Sequence, residues 1–290
     1  MPCSPKSTEK DLRCLIKCKN DKMNMITTRR SFIKKSVIAS SIALSPNLLF
    51  SKSNIVDKIP LTDYHVHLHS NFTIEEAVAN FKSLDMKFGI VEHPGRRANI
   101  IDDESLESYV QRIHSFNAFA GLQPIDPMWH KMFSTEAISK LDYVTMDALE
   151  IPDGKGNRER IWQQRFILYN KSTFMDRYID FYIEVLENGK SNILANPTFL
   201  PICLAPEYYK LWTESRMDKI IQCAVKYSVA LEINSIYQYP KKPFIKMAKE
   251  AGAKFSFGSN GHNLQEVKNY EYCLEMAKEC DLRIDDFLSI

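Results

Sequence analysis

The chain has 290 residues, 44% of them hydrophobic, and a formal net charge of +2. That is enough apolar content for one large domain with a full core, and too even a charge balance to point to nucleic acid or an acidic surface as partner. Of its seven cysteines, the four after residue 54, Cys203, Cys223, Cys273 and Cys280, show no C-x-x-C spacing, so neither a zinc knuckle nor a dithiol redox site is indicated. In an exported protein one disulfide and buried free thiols fit them equally well.

Residues 1–24 are polar, lysine-rich and carry Cys3, Cys14 and Cys18. They fit no part of a domain, and the expectation is a non-native or disordered extension ahead of a start at Met25. Thr28-Arg29-Arg30-Ser31-Phe32-Ile33-Lys34-Lys35, followed by the mild apolar run Val37 to Leu44, resembles the twin-arginine export signal of bacteria. The run is far below the roughly 20 residues that span a bilayer. Residues 25–54 are therefore expected to be a signal peptide, with membrane contact only during export and a periplasmic or extracytoplasmic destination. No A-x-A site is legible, which brackets the mature start between about Ser45 and Asn54.

Residues 55–290 alternate short apolar runs with amphipathic stretches, the pattern of βα units around a parallel sheet. The first strand runs into Asp63-Tyr64-His65-Val66-His67-Leu68-His69, three histidines at alternate positions, which strand geometry turns to one face. Imidazoles so placed can share a divalent ion. Thr73 and Glu76 form a capping box for a helix with the stripe Ile74, Ala77, Val78, Phe81 and Leu84. Strand two, 88–91, runs into Glu92-His93-Pro94-Gly95-Arg96-Arg97. Strand three, 118–122, ends at Gln123-Pro124, and strand four, 143–149, precedes Glu150 and a turn-rich segment, 152–157. The stretch from Arg158 to Asn188 has helical spacing and is expected to be core-facing helix in one or two pieces. Strand five ends at Asn196-Pro197, strand six at Glu232-Ile233-Asn234, and strand seven at Gly258-Ser259-Asn260-Gly261-His262.

Seven strands each followed by a helix predict an α/β fold, a TIM-like (β/α)7 barrel one unit short of the usual eight, whose chemistry sits at the carboxyl ends of the strands. Those ends carry His65, His67, Glu92, His93, Gln123, Asp147, Glu150, Asn196, Glu232, Asn234, Asn260 and His262. Arg96 and Arg97 are candidates for holding the anionic part of a substrate, because guanidinium matches phosphate or carboxylate oxygens in a bidentate way. Asn234 joins them as a candidate substrate contact, or with Glu232 orients other ligands.

From Asp63 onward these motifs resemble the PHP family, the polymerase and histidinol phosphatase superfamily of metal-dependent phosphoesterases. Asp63-Tyr64-His65-Val66-His67 is similar to its first motif, Val91-Glu92-His93 to its second and Gly258-Ser259-Asn260-Gly261-His262 to its closing GSDAH. The resemblance implies a distorted seven-stranded barrel and a metal set drawn from His65, His67, Glu92, His93, Gln123, Asn196, Asn260 and His262. The departures are Gln123 where the family has a bridging glutamate, Leu149 and Asn196 where it has histidines, and Asn260 where it has an aspartate. With amides there, the charge that holds adjacent cations is missing, and one zinc, manganese or iron ion is the expectation, with Asp147 or Glu150 compensating from the fourth strand. The function so implied is an exported phosphoesterase acting on a small anionic substrate, with His93 and His262 in proton transfer. Two alternatives stand beside it: an amidohydrolase-like barrel, which also opens on HxH, and a degenerate PHP barrel that only binds its ligand.

Overall fold

The computed structural model describes Ile59, residues 61–95, 97–164, Phe166, Leu168 and 170–290. The expected extension 1–24, the export-signal segment 25–54 and Arg96 lie outside the described residues.

The elements run β1 (Thr62–Val66), α1 (Ile74–Ser83), β2 (Lys87–Glu92), α2 (Asp103–His114), β3 (Phe119–Leu122), α3 (Thr135–Ile138) and β4 (Tyr143–Met146). They continue through β5 (Glu150–Pro152), β6 (Arg158–Arg160), α4 (Lys171–Asn188), β7 (Ile193–Leu194), α5 (Tyr208–Leu211), α6 (Glu214–Lys226), β8 (Ala230–Asn234), α7 (Lys242–Glu250), β9 (Phe255–Gly258) and α8 (Glu271–Glu279). Strands β1-β2-β3-β4-β7-β8-β9 close a parallel barrel in that order, with β1 pairing β9. The fold is the TIM-like seven-stranded α/β barrel that the alternation of strands and helices predicts.

Local chemistry explains the main boundaries. Thr73 accepts the Glu76 N–H at 3.3 Å while the Glu76 carboxylate accepts the Thr73 N–H at 2.9 Å, the reciprocal cap expected for α1. Helices α4 and α6 bury stripes such as Phe174, Tyr178, Tyr182 and Val185, and Met217, Ile220, Ile221 and Ala224. These stripes face the outside of the barrel, as period 3.6 demands.

One stretch departs from its helical spacing. Arg158–Arg160 is not helix but the second strand of a hairpin with Glu150–Pro152. The physical reason lies in the turn: the Asp153 carboxylate accepts the N–H groups of Lys155 and Asn157, and Gly154 and Gly156 take φ of 72° and 90°. Such a turn reverses the chain and lays 158–160 back on 150–152 before a helix can start.

The barrel interior has two zones. Tyr64, Val91, Tyr143, Ile193 and Ala230 fill the lower one, with Phe119 and Leu288 against them. The Tyr143 ring lies over β2 and β3 where Gly89 and Gly121 stand, and a Cβ on either would run into it. Its hydroxyl donates to the Tyr64 carbonyl at 2.8 Å. Above this plug the inward residues turn polar.

The change of zone on β1 uses a β-bulge. Asp63 pairs with Phe88 and Val66 with Ile90, so β1 spends one more residue than β2 over that interval. Tyr64 and the next residue, His65, therefore both turn inward, to the Tyr143 ring and to Glu232. Asp63 is left on the other side with its buried carboxylate: Oδ1 accepts the N–H groups of His65 and Ser259, each at 3.0 Å, and Oδ2 the Tyr270 hydroxyl at 2.9 Å. Burial pushes the Asp63 carboxyl above its ordinary pKa, partly offset by these donors.

Candidate metal centre

The polar zone is a cavity of about 440 Å³ at the carboxyl ends of the strands, the place where a barrel of this class assembles chemistry from separate strand ends. Strand β1 supplies His67 and, just below, His65, with His69 at the mouth. Strand β2 supplies Glu92 and His93, and the ends of β3, β4 and β9 supply Gln123, Asp147, Asn260 and His262. The imidazoles are close: the His67 ring centroid is 5.2 Å from that of His65, 5.5 Å from His93 and 4.6 Å from His262.

Three of these rings have one nitrogen fixed. His65 Nδ1 is 2.6 Å from Glu232 Oε1. A buried carboxylate only accepts, so that nitrogen carries the proton. His93 Nδ1 is 2.6 Å from the Gln123 carbonyl, and His262 Nδ1 is 2.9 Å from the Asn260 carbonyl, each again a donor. Tying Nδ1 to a carboxylate or carbonyl is how proteins present Nε2 to a metal. His65 Nε2 is buried and has no hydrogen-bond partner.

At His67 and His262 the charges match this neutral-imidazole arrangement. Burial holds His67 well below the ordinary histidine pKa, and the facing imidazoles add to it. His262 is lowered by burial and by His69. Burial also pulls on His65, but the Glu232 carboxylate, with Asp147 and Asp63 behind it, more than offsets that and leaves it raised. Burial raises the Glu92 and Asp147 carboxyls.

The strand ends differ in what they contribute. The Gln123 side-chain amide donates to Asp147 Oδ2 at 3.0 Å, and its amide oxygen Oε1 is buried without a partner. The Asn196 N–H donates to Glu232 Oε2 at 2.8 Å, while both atoms of its buried side-chain amide lack partners; it is not among the residues lining the cavity. Asn196 and Asn260 take φ of 49° and 52°, a region asparagine tolerates better than most residues. Asn234 donates to Glu232 and accepts the N–H groups of Ile236 and Tyr237, so its side chain is spent on the Glu232 carboxylate and the next turn. It does not reach the cavity. Arg97 lines the cavity. Glu150 lines it too, but its carboxylate is paired with Arg160 at 3.0 Å. Asp147 is thus the fourth strand's contribution, its carboxylate accepting the Gln123 amide and the Leu149 N–H, each at 3.0 Å. Sequence reasoning passed over Trp162 and Tyr237 in the lining: one follows the unforeseen hairpin, and the other follows the Asn234 turn.

Among the described residues, no three His, Cys, Asp or Glu side chains are placed to grip one ion between them. The donor types are nevertheless of the kind a divalent cation takes. The unpartnered acceptors, His65 Nε2 and Gln123 Oε1, belong to this ring of imidazoles, and nitrogen with neutral oxygen suits zinc, manganese or iron.

The fold and site together define a seven-stranded α/β barrel with an imidazole-rich pit at its carboxyl rim. Comparison with known proteins goes no further than the fold. No family model matches the chain, and no curated protein does. Among solved structures, a chain in an archaeal ribonuclease P seen by cryo-EM with mature tRNA is 13% identical at a TM-score of 0.39, over 78% of this chain and 90% of that one. A mannanase catalytic domain from Streptomyces sp. SirexAA-E is 12% identical at 0.34, over 78% and 86%. Phospho-2-dehydro-3-deoxyheptonate aldolase from Thermotoga maritima is 10% identical at 0.32, over 96% and 95%. Likenesses this weak carry no argument about the reaction.

Proposed function

We propose that the chain is a metal-dependent hydrolase of PHP type that cleaves phosphoesters at the carboxyl rim of the barrel. The observation that carries this reading is the shared anchoring of His65, His93 and His262 through Nδ1 to Glu232 and two carbonyls, the support found behind metal-ligating histidines. His65, His67, His93 and His262, which as placed do not close on one ion, would draw in to hold one divalent ion, with Gln123 and Asp147 as oxygen donors and Glu92 and Asn260 at the edge. Such an ion supplies Lewis acidity toward an ester oxygen. Arg97 meets the substrate's negative charge. Asp147 and Glu92, whose carboxyls burial raises, are the carboxylates placed in the cavity to accept a proton. Export by the twin-arginine route is part of the same proposal and rests on residues 28–44 alone.

The test is metal content of the purified full chain by mass spectrometry, before and after His67→Ala and His262→Ala, with circular dichroism as a check on folding. About one zinc, manganese or iron per chain, lost in folded variants, supports the reading, and a native protein that takes up none when titrated with zinc or manganese overturns it. The amides Gln123, Asn196 and Asn260 favour a second reading, a barrel that binds its ligand without turnover. Metal uptake with no release of product from phosphomonoesters or phosphodiesters would select that one.

A further inference from the structure

Beneath the Tyr64–Tyr143 plug, at the amino-terminal mouth of the barrel, lies a second cavity of about 450 Å³. It opens at the seam between β1 and β9. The two strands pair at Asp63 and Phe257, but two residues lower, at Phe255, the partner is Phe287, and Phe255 accepts the Leu288 N–H at 2.8 Å. The segment from 287 takes the edge that β1 would otherwise fill, and the floor stays open beside it.

Three neighbouring strands each turn one polar side chain into this space. Gly258 faces Glu232 and His65 inside the barrel, so Ser256, two residues before it on β9, faces inward too. Thr62 stands two residues before the inward Tyr64. Lys87, its partner in the β1–β2 ladder, stands two before Gly89, which lies under the Tyr143 ring. All three line the cavity. Ser256 is 2% exposed and its hydroxyl has no hydrogen-bond partner, an uncompensated cost that a bound acceptor removes. The Lys87 ammonium lies 6.0 Å from the Phe119 centroid. On the exposed rim the charges of Lys82 and Asp85 cancel, which leaves Lys87 as one net positive charge. Much of the remaining wall is apolar, with Phe119, Met86 and Leu288, and it runs out to Ile284, which is 52% exposed.

An ammonium and two hydroxyls suit one oxyanion, and a monoanion balances the charge. We propose that this mouth is a binding site for a monocarboxylate with a medium-length alkyl tail. The carboxylate meets Lys87, Thr62 and Ser256, and the tail runs over Met86 and Leu288 toward Ile284. The volume admits such a ligand. The lining shares no residue with that of the imidazole-rich cavity, so the site stands or falls apart from the phosphoester reading.

The probes are octanoate, butyrate and octylammonium, by calorimetry on the full chain. Octanoate is expected to bind about 100-fold more tightly than butyrate, from four more buried methylenes. Octylammonium, with the same tail and the opposite charge, is expected not to bind. Lys87→Met keeps an apolar stem and should weaken octanoate about tenfold, while Lys87→Arg retains most of the affinity. Ser256→Ala removes an unpartnered hydroxyl, so it should stay folded by circular dichroism and bind octanoate about tenfold less tightly. No octanoate binding at millimolar concentration, an affinity for octanoate equal to that for either other probe, or undiminished affinity in folded Lys87→Met and Ser256→Ala overturns the proposal.

Discussion

Replacing Glu232 by glutamine changes one atom and should rewrite the site. Glu232 Oε1 takes the His65 Nδ1 proton at 2.6 Å, and Oε2 takes the Asn196 N–H at 2.8 Å and the Asn234 amide at 3.2 Å. All three partners face a group that only accepts. A glutamine has one accepting end and one donating end. Its oxygen must stay with the two N–H donors, since the reverse would set an NH₂ against both of them. The NH₂ then faces His65 Nδ1, which can only accept, and the imidazole proton moves to Nε2. The nitrogen proposed to meet the cation is now a donor.

The expected magnitudes separate function from folding. The His65 contact drops from a charge-assisted to a neutral hydrogen bond, a loss of about 1 kcal/mol, partly offset by removing a buried charge. Glu232→Gln should therefore stay folded, with a stability change on the order of 1 kcal/mol. Its metal affinity should fall by roughly 10- to 100-fold, the usual cost of disturbing a ligand's supporting partner. Glu232→Ala, by contrast, strands three buried donors and should cost about 3–5 kcal/mol. The assays are nitrogen-15 NMR of the His65 ring in metal-free protein, chelator competition for zinc, and urea unfolding. A His65 ring still protonated on Nδ1 in the glutamine variant, or unchanged zinc affinity beside a proven tautomer shift, would refute the reasoning.

Three further outcomes follow from the packing. Gly89→Ala and Gly121→Ala force a methyl into the Tyr143 ring and should each cost about 1–3 kcal/mol in urea unfolding; because the Tyr143 hydroxyl is the nearest atom at Gly89, Tyr143→Phe should soften that variant, and purely additive losses would contradict the arrangement. Tyr270→Phe removes one donor from the buried Asp63 carboxylate and should cost about 1.5–3 kcal/mol, against a result near zero if that contact is idle. Burial holds the Cys273 thiol well above its ordinary pKa, and its Sγ donates to the Ile233 carbonyl at 3.1 Å, so iodoacetamide at pH 8 should label it only after unfolding. Since the native state keeps that proton and the unfolded chain loses it near pH 8.5, stability from this group is intact below about 8.5 and falls as pH rises further; rapid labelling of native Cys273 would count against its burial.

The legible parts of the sequence were those set by local rules. Seven apolar runs, each closed by a polar residue and followed by a helical stripe, gave the barrel and its rim. Thr73 with Glu76 gave a helix start that needs no tertiary information. What was hidden depended on a competition that spacing does not register. Arg158–Arg160 sits in a window of helical periodicity, yet the Asp153 side chain and two left-handed glycines had already turned the chain back. Trp162 went unseen for the same reason, being placed by that hairpin. Asn234 resembled a cavity residue because it ends a strand, but the Glu232 carboxylate and the turn to Tyr237 claim its whole amide.

The deepest concealed feature is the phase of β1. Strict alternation starting from an inward Tyr64 would turn His65 outward against the helices, and starting from an inward His65 would take Tyr64 out of the plug beneath. The extra residue between Asp63 and Val66 removes that conflict, so one strand both seals the barrel floor and opens the site. A bulge leaves the ladder locally broken and its backbone donors in need of partners. Asp63 accepts the His65 N–H with the same oxygen that takes the Ser259 N–H, which also fixes the chain that leads to His262. The aspartate that opens the His-x-His motif therefore works here from behind the strand: it holds the backbone of the first imidazole and the backbone approaching the last in one register.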